Sequence, residues 1–311
     1  MNDTGVTETG TNDAGAKDGR ETVTYRVEHS TNLSYATPVA QARFNVRLKP
    51  YAWPGQDISD HQLVLNPQPA SAVDEDGPYL INTTRIQFEQ PLTELSVTSS
   101  FTMTITPPPP PTTTMSILDV REMAAASRDL SIRSPAPYLF ASRIAGLDQA
   151  IADWAAPMLS PERSIVEAAH ELTHAVHEKI AYESGSSTSR TPPHEAFAAG
   201  RGVCQDQSHV MISALRAHSI PAAYMSGYLN TRPPPGQQKL VGADAMHAWV
   251  AVWCGEDGWV TFDPTNDRLT DSDHVTVGMG RDFGDVSPID GVFVGSTVQN
   301  LSYAVDVRRV D

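Results

Sequence analysis

The sequence predicts an α+β protein in which an antiparallel β domain precedes a unit with helices first and strands after. Three observations carry this. Apolar residues alternate with polar ones from Thr22 to Ile105, in runs separated by Pro, Gly, Asn and Asp. Five consecutive prolines, Pro107–Pro111, then interrupt the chain. Beyond them, helical spacing of apolar residues gives way near Ala222 to a second series of strand-like runs.

Residues 1–20 are mostly Gly, Thr, Asn, Asp and Glu and lack the apolar content to order themselves, so a disordered tail is expected. Residues 21–106 form the expected N-terminal β domain. Its strands read from Val23, Tyr25 and Val27; from Ala42, Phe44, Val46 and Leu48; from Leu63–Leu65; from Ile86 and Phe88; and from Leu95 to Ile105. The prolines and the threonines behind them (107–114) can be neither helix nor central strand and should form a stiff connector. The core is then expected over 115–311. Ala, Leu and Ile between Pro137 and Trp154 suggest a helix. Ser160-Pro161-Glu162-Arg163 opens another, with Ile165, Ala169, Leu172, Val176 and Ile180 on one face. A polar loop, Ser184–Pro193, leads to a third helix after Cys204, ending near His218. Strands are expected at 222–229, 247–253, 259–263, 275–277, 291–294 and 301–307.

The chain has 311 residues and is 40% hydrophobic, enough for a substantial core and about two domains. A formal net charge of −15 excludes nucleic acid or an anionic membrane as a main partner, because both require a basic surface. Two cysteines do not make a disulfide framework. With no signal-like N-terminus and no long apolar run, a cytoplasmic protein is expected.

The chemistry centres on Gly200-Arg201-Gly202-Val203-Cys204. Cys204 stands where a helix should begin, and free N–H groups and the dipole at a helix N-terminus favour a thiolate. An isolated cysteine is more commonly a small buried hydrophobe, but two strands downstream change the reading. Trp253–Trp259 reads as a turn between them, with His247, Trp249, Ala251 and Trp253 on one face of the first and Trp259, Thr261 and Asp263 on one face of the second. Pairing Ala251 with Trp259 sets His247 opposite Asp263. A slip of two residues keeps them diagonal neighbours; a slip of one separates them. A thiol, an imidazole and a carboxylate in this order are the parts of an activated cysteine nucleophile acting on amide bonds. Cys254 has the opposite parity to His247 and should pack away from the site. Asp206, in the first helical turn, is assigned a structural role. The backbone N–H of Cys204 is one candidate oxyanion donor; the sequence names no second.

A rival motif is His170-Glu171-Leu172-Thr173-His174, which matches a zinc-hydrolase pattern on a helix, with Glu195 as a conceivable third ligand. On a helical wheel, however, His170, His174 and His177 lie away from Leu172 and Val176, on an expected solvent-facing flank.

The segments Gly202–Asp206, Ile220-Pro221-Ala222, Ser226–Leu229, His247–Val250, Gly258–Asn266 and Gly280–Pro288, with Tyr25–His29 and Arg47–Pro50, resemble the transglutaminase-like superfamily, and within it the bacterial branch that carries an N-terminal β domain. The resemblance covers nearly everything after Thr22. It implies a papain-like core, a catalytic triad of Cys204, His247 and Asp263, peptidase, amidase or transglutaminase activity through a thioester, no metal or cofactor, and ATP-grasp proteins as partners. Ala223 stands where many members have arginine, and Gln207 where they have an apolar residue; both put substrate contacts in question. The alternatives left open are an inactive binding or scaffold module, and a zinc hydrolase.

Overall fold

The computed structural model describes residues 20–231 and 246–310. Residues 1–19 of the expected tail lie outside the described residues. Strand β1 (Val23–Val39) buries alternate side chains from Val23 through Tyr35, the period-2 pattern legible in the sequence. It is followed by β2 (Gln41–Val46), β3 (Gln56–Asn66), β4 (Ser71–Asp76), β5 (Asn82–Phe88) and β6 (Leu92–Ile105).

Helix α1 (Ile117–Ala126) comes next, then α2 (Gln149–Ala155), α3 (Ile165–Lys179), β7 (Ala181–Tyr182), α4 (Pro193–Ala199), β8 (Arg201–Gly202) and α5 (Cys204–Ala217). The second half of the core is β9 (Ala222–Leu229), β10 (Met246–Trp253), β11 (Trp259–Asp263), β12 (Arg268–Leu269), β13 (His274–Gly280) and α6 (Phe283–Val286). The chain ends in β14 (Ile289–Val294) and β15 (Gln299–Arg309).

The strands form a five-stranded sheet, β12-β11-β10-β9-β13, and two four-stranded sheets, β15-β1-β6-β3 and β14-β2-β5-β4. All pairs in these sheets are antiparallel; the short β7–β8 pair is parallel. The architecture is the α+β class expected.

The last two strands depart from the expectation of a core running to residue 311. β15 pairs along β1, from Tyr25↔Arg309 to Tyr35↔Gln299, and β14 pairs along β2. The β layer is therefore closed by both ends of the chain. The backbone hydrogen bonds of β14 and β15 are met by the edges of β2 and β1. One apolar core joins this layer to the rest: Tyr25, Val27, Phe101, Met103 and Val307 pack in the same cluster as Tyr228, Val275 and the helices. A second cluster, including Phe44, Ile86, Phe88 and Val97, fills the space between the two four-stranded sheets.

The helices differ from expectation in several places, α4 and α6 having no counterpart in it. The segment from Pro137 does not form one helix; α2 begins only at Gln149, where Asp148 accepts a hydrogen bond from Ile151 N and caps it. Helix α1 has no counterpart in the sequence expectation, although Ser116 and Asp119 form a reciprocal capping box at its start. The helix expected near Pro161 starts slightly later, at Ile165. Its apolar face is as expected: Ile165, Ala169, Leu172, Val176 and Ile180 are all fully buried, and each large aliphatic side chain contributes about 1.5–3 kcal/mol. The proline connector is docked along the surface by Asp257, whose Oδ2 accepts from Thr112 N at 2.7 Å and Thr113 N at 2.8 Å.

Candidate active site

Cys204 is the first residue of α5, and Val203 before it has extended backbone. Two glycines make this junction possible. Gly200 ends α4 at φ +65°, in the left-handed region. Gly202 has no room for a side chain: a Cβ there would lie 2.6 Å from Asp206 Cβ. Asp206 comes that close because its carboxylate folds back over the helix start, accepting from Val203 N at 2.7 Å and from Ser187. It is 1% exposed, and burial raises its carboxyl above the ordinary carboxylate range. Its role in the helix start is the structural one expected.

Strands β10 and β11 bring His247 and Asp263 together. The register is Ala251↔Thr261 and Trp253↔Trp259, two residues from the in-register pairing and so the diagonal case. His247 Nε2 meets Asp263 Oδ2 at 2.8 Å. Burial alone would lower the His247 imidazole, but hydrogen bonds with Asp263 and Cys204 and their negative charges push it up to about 10. Burial alone would raise Asp263; hydrogen bonds and charge from His247 and His274 hold it well below the ordinary carboxylate range.

Two further residues hold Asp263, which is fully buried. His274 Nε2 lies 3.0 Å from Oδ2, and Asn266 Nδ2 donates to the same oxygen at 2.6 Å. Oδ1 accepts from the backbone N–H groups of Thr265 and Asn266, at 3.0 and 3.2 Å. His247, Asp263 and His274 offer ligand atoms within 4.8 Å of one another, close enough for a metal ion, but here both histidines are spent on hydrogen bonds to one oxygen. His274 is reached across the sheet by way of Gly227. A Cβ at Gly227 would lie 2.5 Å from the Trp249 ring, and that ring packs edge-on to His274 at 5.3 Å. Sequence reasoning missed His274, because a lone histidine at a strand start carries no local signal.

Cys204 and His247 line a cavity of about 410 Å³. Its far wall comes from the β layer: His29 and Thr31 on β1, Leu301 and Tyr303 on β15. His29 is buried, its Nδ1 3.0 Å from Tyr228 Oη and its Nε2 3.0 Å from Thr31 Oγ1, and burial lowers its imidazole to about 4. Gln205 also lines the cavity, and its Nε2 is buried without a hydrogen-bond partner. A buried amide donor left unpaired costs about 1–3 kcal/mol.

The remaining residues singled out in the sequence lie elsewhere. Gln207 is buried; its Nε2 donates to Ile180 O at 2.8 Å and its Oε1 accepts from Thr265 at 2.6 Å, so it ties α5 to the loop behind Asp263. Ala223 sits in a small buried cluster with Met225, Trp249 and Met279. Neither lines the cavity, so the two departures from the resembled pattern do not bear on its walls. Cys254 is fully buried in the apolar core and does not line the cavity, a free thiol pushed up to about 12 by burial.

The rival zinc motif lies on the exposed flank of α3. Glu171 pairs with Arg163 at 2.6 Å and His174 Nδ1 with Asp267 at 2.8 Å. Among the described residues, neither His170 nor His174 belongs to a group of three metal-binding side chains, so Glu195 does not join them as a ligand. His174 and His177 instead clasp the loop after β11, His177 Nδ1 lying 3.1 Å from Thr265 O.

Comparison with known proteins agrees with this architecture. Residues 152–264 match the transglutaminase-like superfamily, and residues 25–104 match the bacterial transglutaminase-like N-terminal region. The chain is 33% identical over 288 residues to the uncharacterized protein Mb2599c of Mycobacterium bovis, covering 91% of this chain and 92% of that one. A shorter stretch of 70 residues, 22% of this chain and 10% of the relative, is 39% identical to the protein-glutamine gamma-glutamyltransferase of Pseudomonas aeruginosa. A crystal structure from Cytophaga hutchinsonii, provisionally assigned as a cysteine protease, superposes with a TM-score of 0.72 over 94% of this chain and 92% of that chain, at 19% identity, and so shares the fold. The chain belongs to the transglutaminase-like superfamily, in the branch whose core is preceded by the bacterial transglutaminase-like N-terminal region.

Proposed function

We propose that this protein is a cysteine-dependent acyl-transfer enzyme acting on amide bonds, with Cys204, His247 and Asp263 as its catalytic triad and hydrolysis as the first outcome. The observation that carries the reading is the buried His247–Asp263 pair, 2.8 Å apart, on one cavity with a thiol at a helix N-terminus.

The proposed steps use these residues as follows. The Cys204 thiol passes its proton to His247 Nδ1, and Sγ attacks the amide carbon. Negative charge moves to the carbonyl oxygen, stabilised by the Cys204 backbone N–H and by Gln205 Nε2 as second donor. His247 gives its proton to the amine as the C–N bond breaks, leaving a thioester. Water then attacks, losing a proton to His247, and the C–S bond breaks to release the acid; an amine in place of water gives transfer. Asp263 fixes the imidazole and supports its positive charge without taking the proton.

The test is amine release from a panel of glutamine- and peptide-amide substrates, with and without an added primary amine. Wild type releases amine and forms a mass-detectable acyl adduct on Cys204; Cys204→Ala does neither. Undiminished amidase activity in Cys204→Ala would sink the reading. Iodoacetamide labelling of Cys204 at pH 6 no faster than that of a free peptide thiol would favour an inactive binding module.

A further inference from the structure

A second, larger cavity of about 980 Å³ opens beside the first. The two share Ser189, Phe283, Ser287 and Ile289 as lining, so they adjoin. Five arginines line the second cavity: Arg43, Arg85, Arg143, Arg190 and Arg281. That concentration stands out in a chain with 22 basic residues and a net charge of −15.

The acidic groups on the same walls are already engaged. Asp285 pairs with Arg281 at 3.0 Å. Asp290 pairs with Arg47 and accepts from Asn45. Asp282 is buried and accepts from Ile144 N and Gly284 N, both at 2.8 Å. Arg85 is held by Glu75 at 2.9 Å. Arg43, Arg143 and Arg190 have no carboxylate partner among the described residues. They come from β2, from the loop before α2 and from the loop before α4, so their convergence on one cavity is not a by-product of a single charged surface strand.

We infer that this arginine-lined annexe seats the carboxylates of an acidic peptide whose neighbouring amide is presented to Cys204. Guanidinium groups bind carboxylates through paired N–H donors, and three of them without internal partners provide that chemistry at the edge of the reaction cavity. The inference rests on the acyl-transfer reading for what happens to the peptide, but not for its binding.

The experiment measures binding of fluorescein-labelled tetraglutamate and tetraglutamine peptides to the full-length Cys204→Ala protein by fluorescence anisotropy. Tetraglutamate binds at least about tenfold more tightly, a preference weakened by salt. In the Arg43→Gln, Arg143→Gln, Arg190→Gln triple variant, with an unchanged circular dichroism spectrum, the preference disappears. These side chains are exposed, so the fold does not depend on them; single Arg143→Gln and Arg190→Gln variants, each losing part of the preference, guard against a misfolded triple. Equal binding of the two peptides, or a preference that survives the triple variant, overturns the inference. Selective tetraglutamate binding by a protein inert toward every amide tested would uphold the anion site and overturn the acyl-transfer reading instead.

Discussion

His274 Nε2 lies 3.0 Å from Asp263 Oδ2, the same oxygen that meets His247 Nε2 at 2.8 Å. Asp263 is thus held from two sides, and the side away from His247 sets where its carboxylate points. A buried hydrogen bond to a charged group is worth about 1.5–3 kcal/mol. His274→Ala should therefore lower kcat by roughly ten- to a hundredfold with little change in KM. His274→Gln, which can still donate to Asp263, should recover part of the loss. Steady-state kinetics on the three proteins checks this; an unchanged kcat in His274→Ala would remove His274 from the site.

Gln205 makes a separate prediction. If its unpartnered Nε2 stabilises the oxyanion, Gln205→Ala lowers kcat by about a hundredfold while KM holds. Gln205→Glu, of nearly the same size but without the donor, falls as far. Thermal unfolding of Gln205→Ala should match wild type or exceed it, since the amide Nε2 has no partner to lose in the resting protein, whereas Gln205→Glu should unfold earlier because it buries a charge.

The tight approach of Gly202 to Asp206 bears on stability and reactivity together. An added methyl would meet the Asp206 carboxylate at 2.9 Å as well as its Cβ. Overpacking of this kind costs about 1–3 kcal/mol. Gly202→Ala should lower the melting temperature and slow iodoacetamide labelling of Cys204, because the clash displaces the first turn of α5. Labelling at the wild-type rate would show that this turn tolerates the methyl.

Stability should fall on both sides of neutrality, for opposite reasons. His29 and His209 are buried, and burial lowers each to about 4, below the unfolded value of 6.5. The unfolded chain therefore binds more protons between about pH 6.5 and 4, and stability is lost as pH falls through that window, on the order of 1 kcal/mol per unit for each group. His247 is raised to about 10, so its contribution is complete below pH 6.5 and is lost as pH rises toward 10. Urea unfolding across pH 4–10 checks both limbs. His29→Gln should flatten the acid limb, and Cys204→Ala, which removes one of the groups raising His247, the alkaline one.

Much of the fold was legible because local periodicity and burial coincide. β1 buries every second residue from Val23 to Tyr35, and α3 buries Ile165, Ala169, Leu172 and Val176 on its apolar face, with Ile180 buried just past its end. β9 begins and ends where the sequence places it, at Ala222 and Leu229. What failed was local in appearance and non-local in cause. The apolar segment after Pro137 becomes α-helix only from Gln149: Tyr138, which ends a single 3₁₀ turn, is fully buried, with its carbonyl accepting from Arg216 at 3.1 Å. No pattern in that segment announces a distant arginine.

The candidate site divides in the same way. The sequence by itself determined that Cys204 comes after a glycine-punctuated turn at a helix start, and that His247 and Asp263 share a face on adjoining strands. These are consequences of helix capping and of the two-residue period of a strand. Only the tertiary structure decided the register, the second histidine on Asp263, the unpaired amide of Gln205 and the three unpartnered arginines. It also decided that β14 and β15, at the far end of the chain, return to β1 and β2 and supply part of the cavity wall. Strand parity constrains which face a residue occupies, but not which distant edge completes a sheet. That choice is made by the packing of the whole chain, where unpaired edges and apolar faces find one another across nearly its full length, as in the Tyr25↔Arg309 pair.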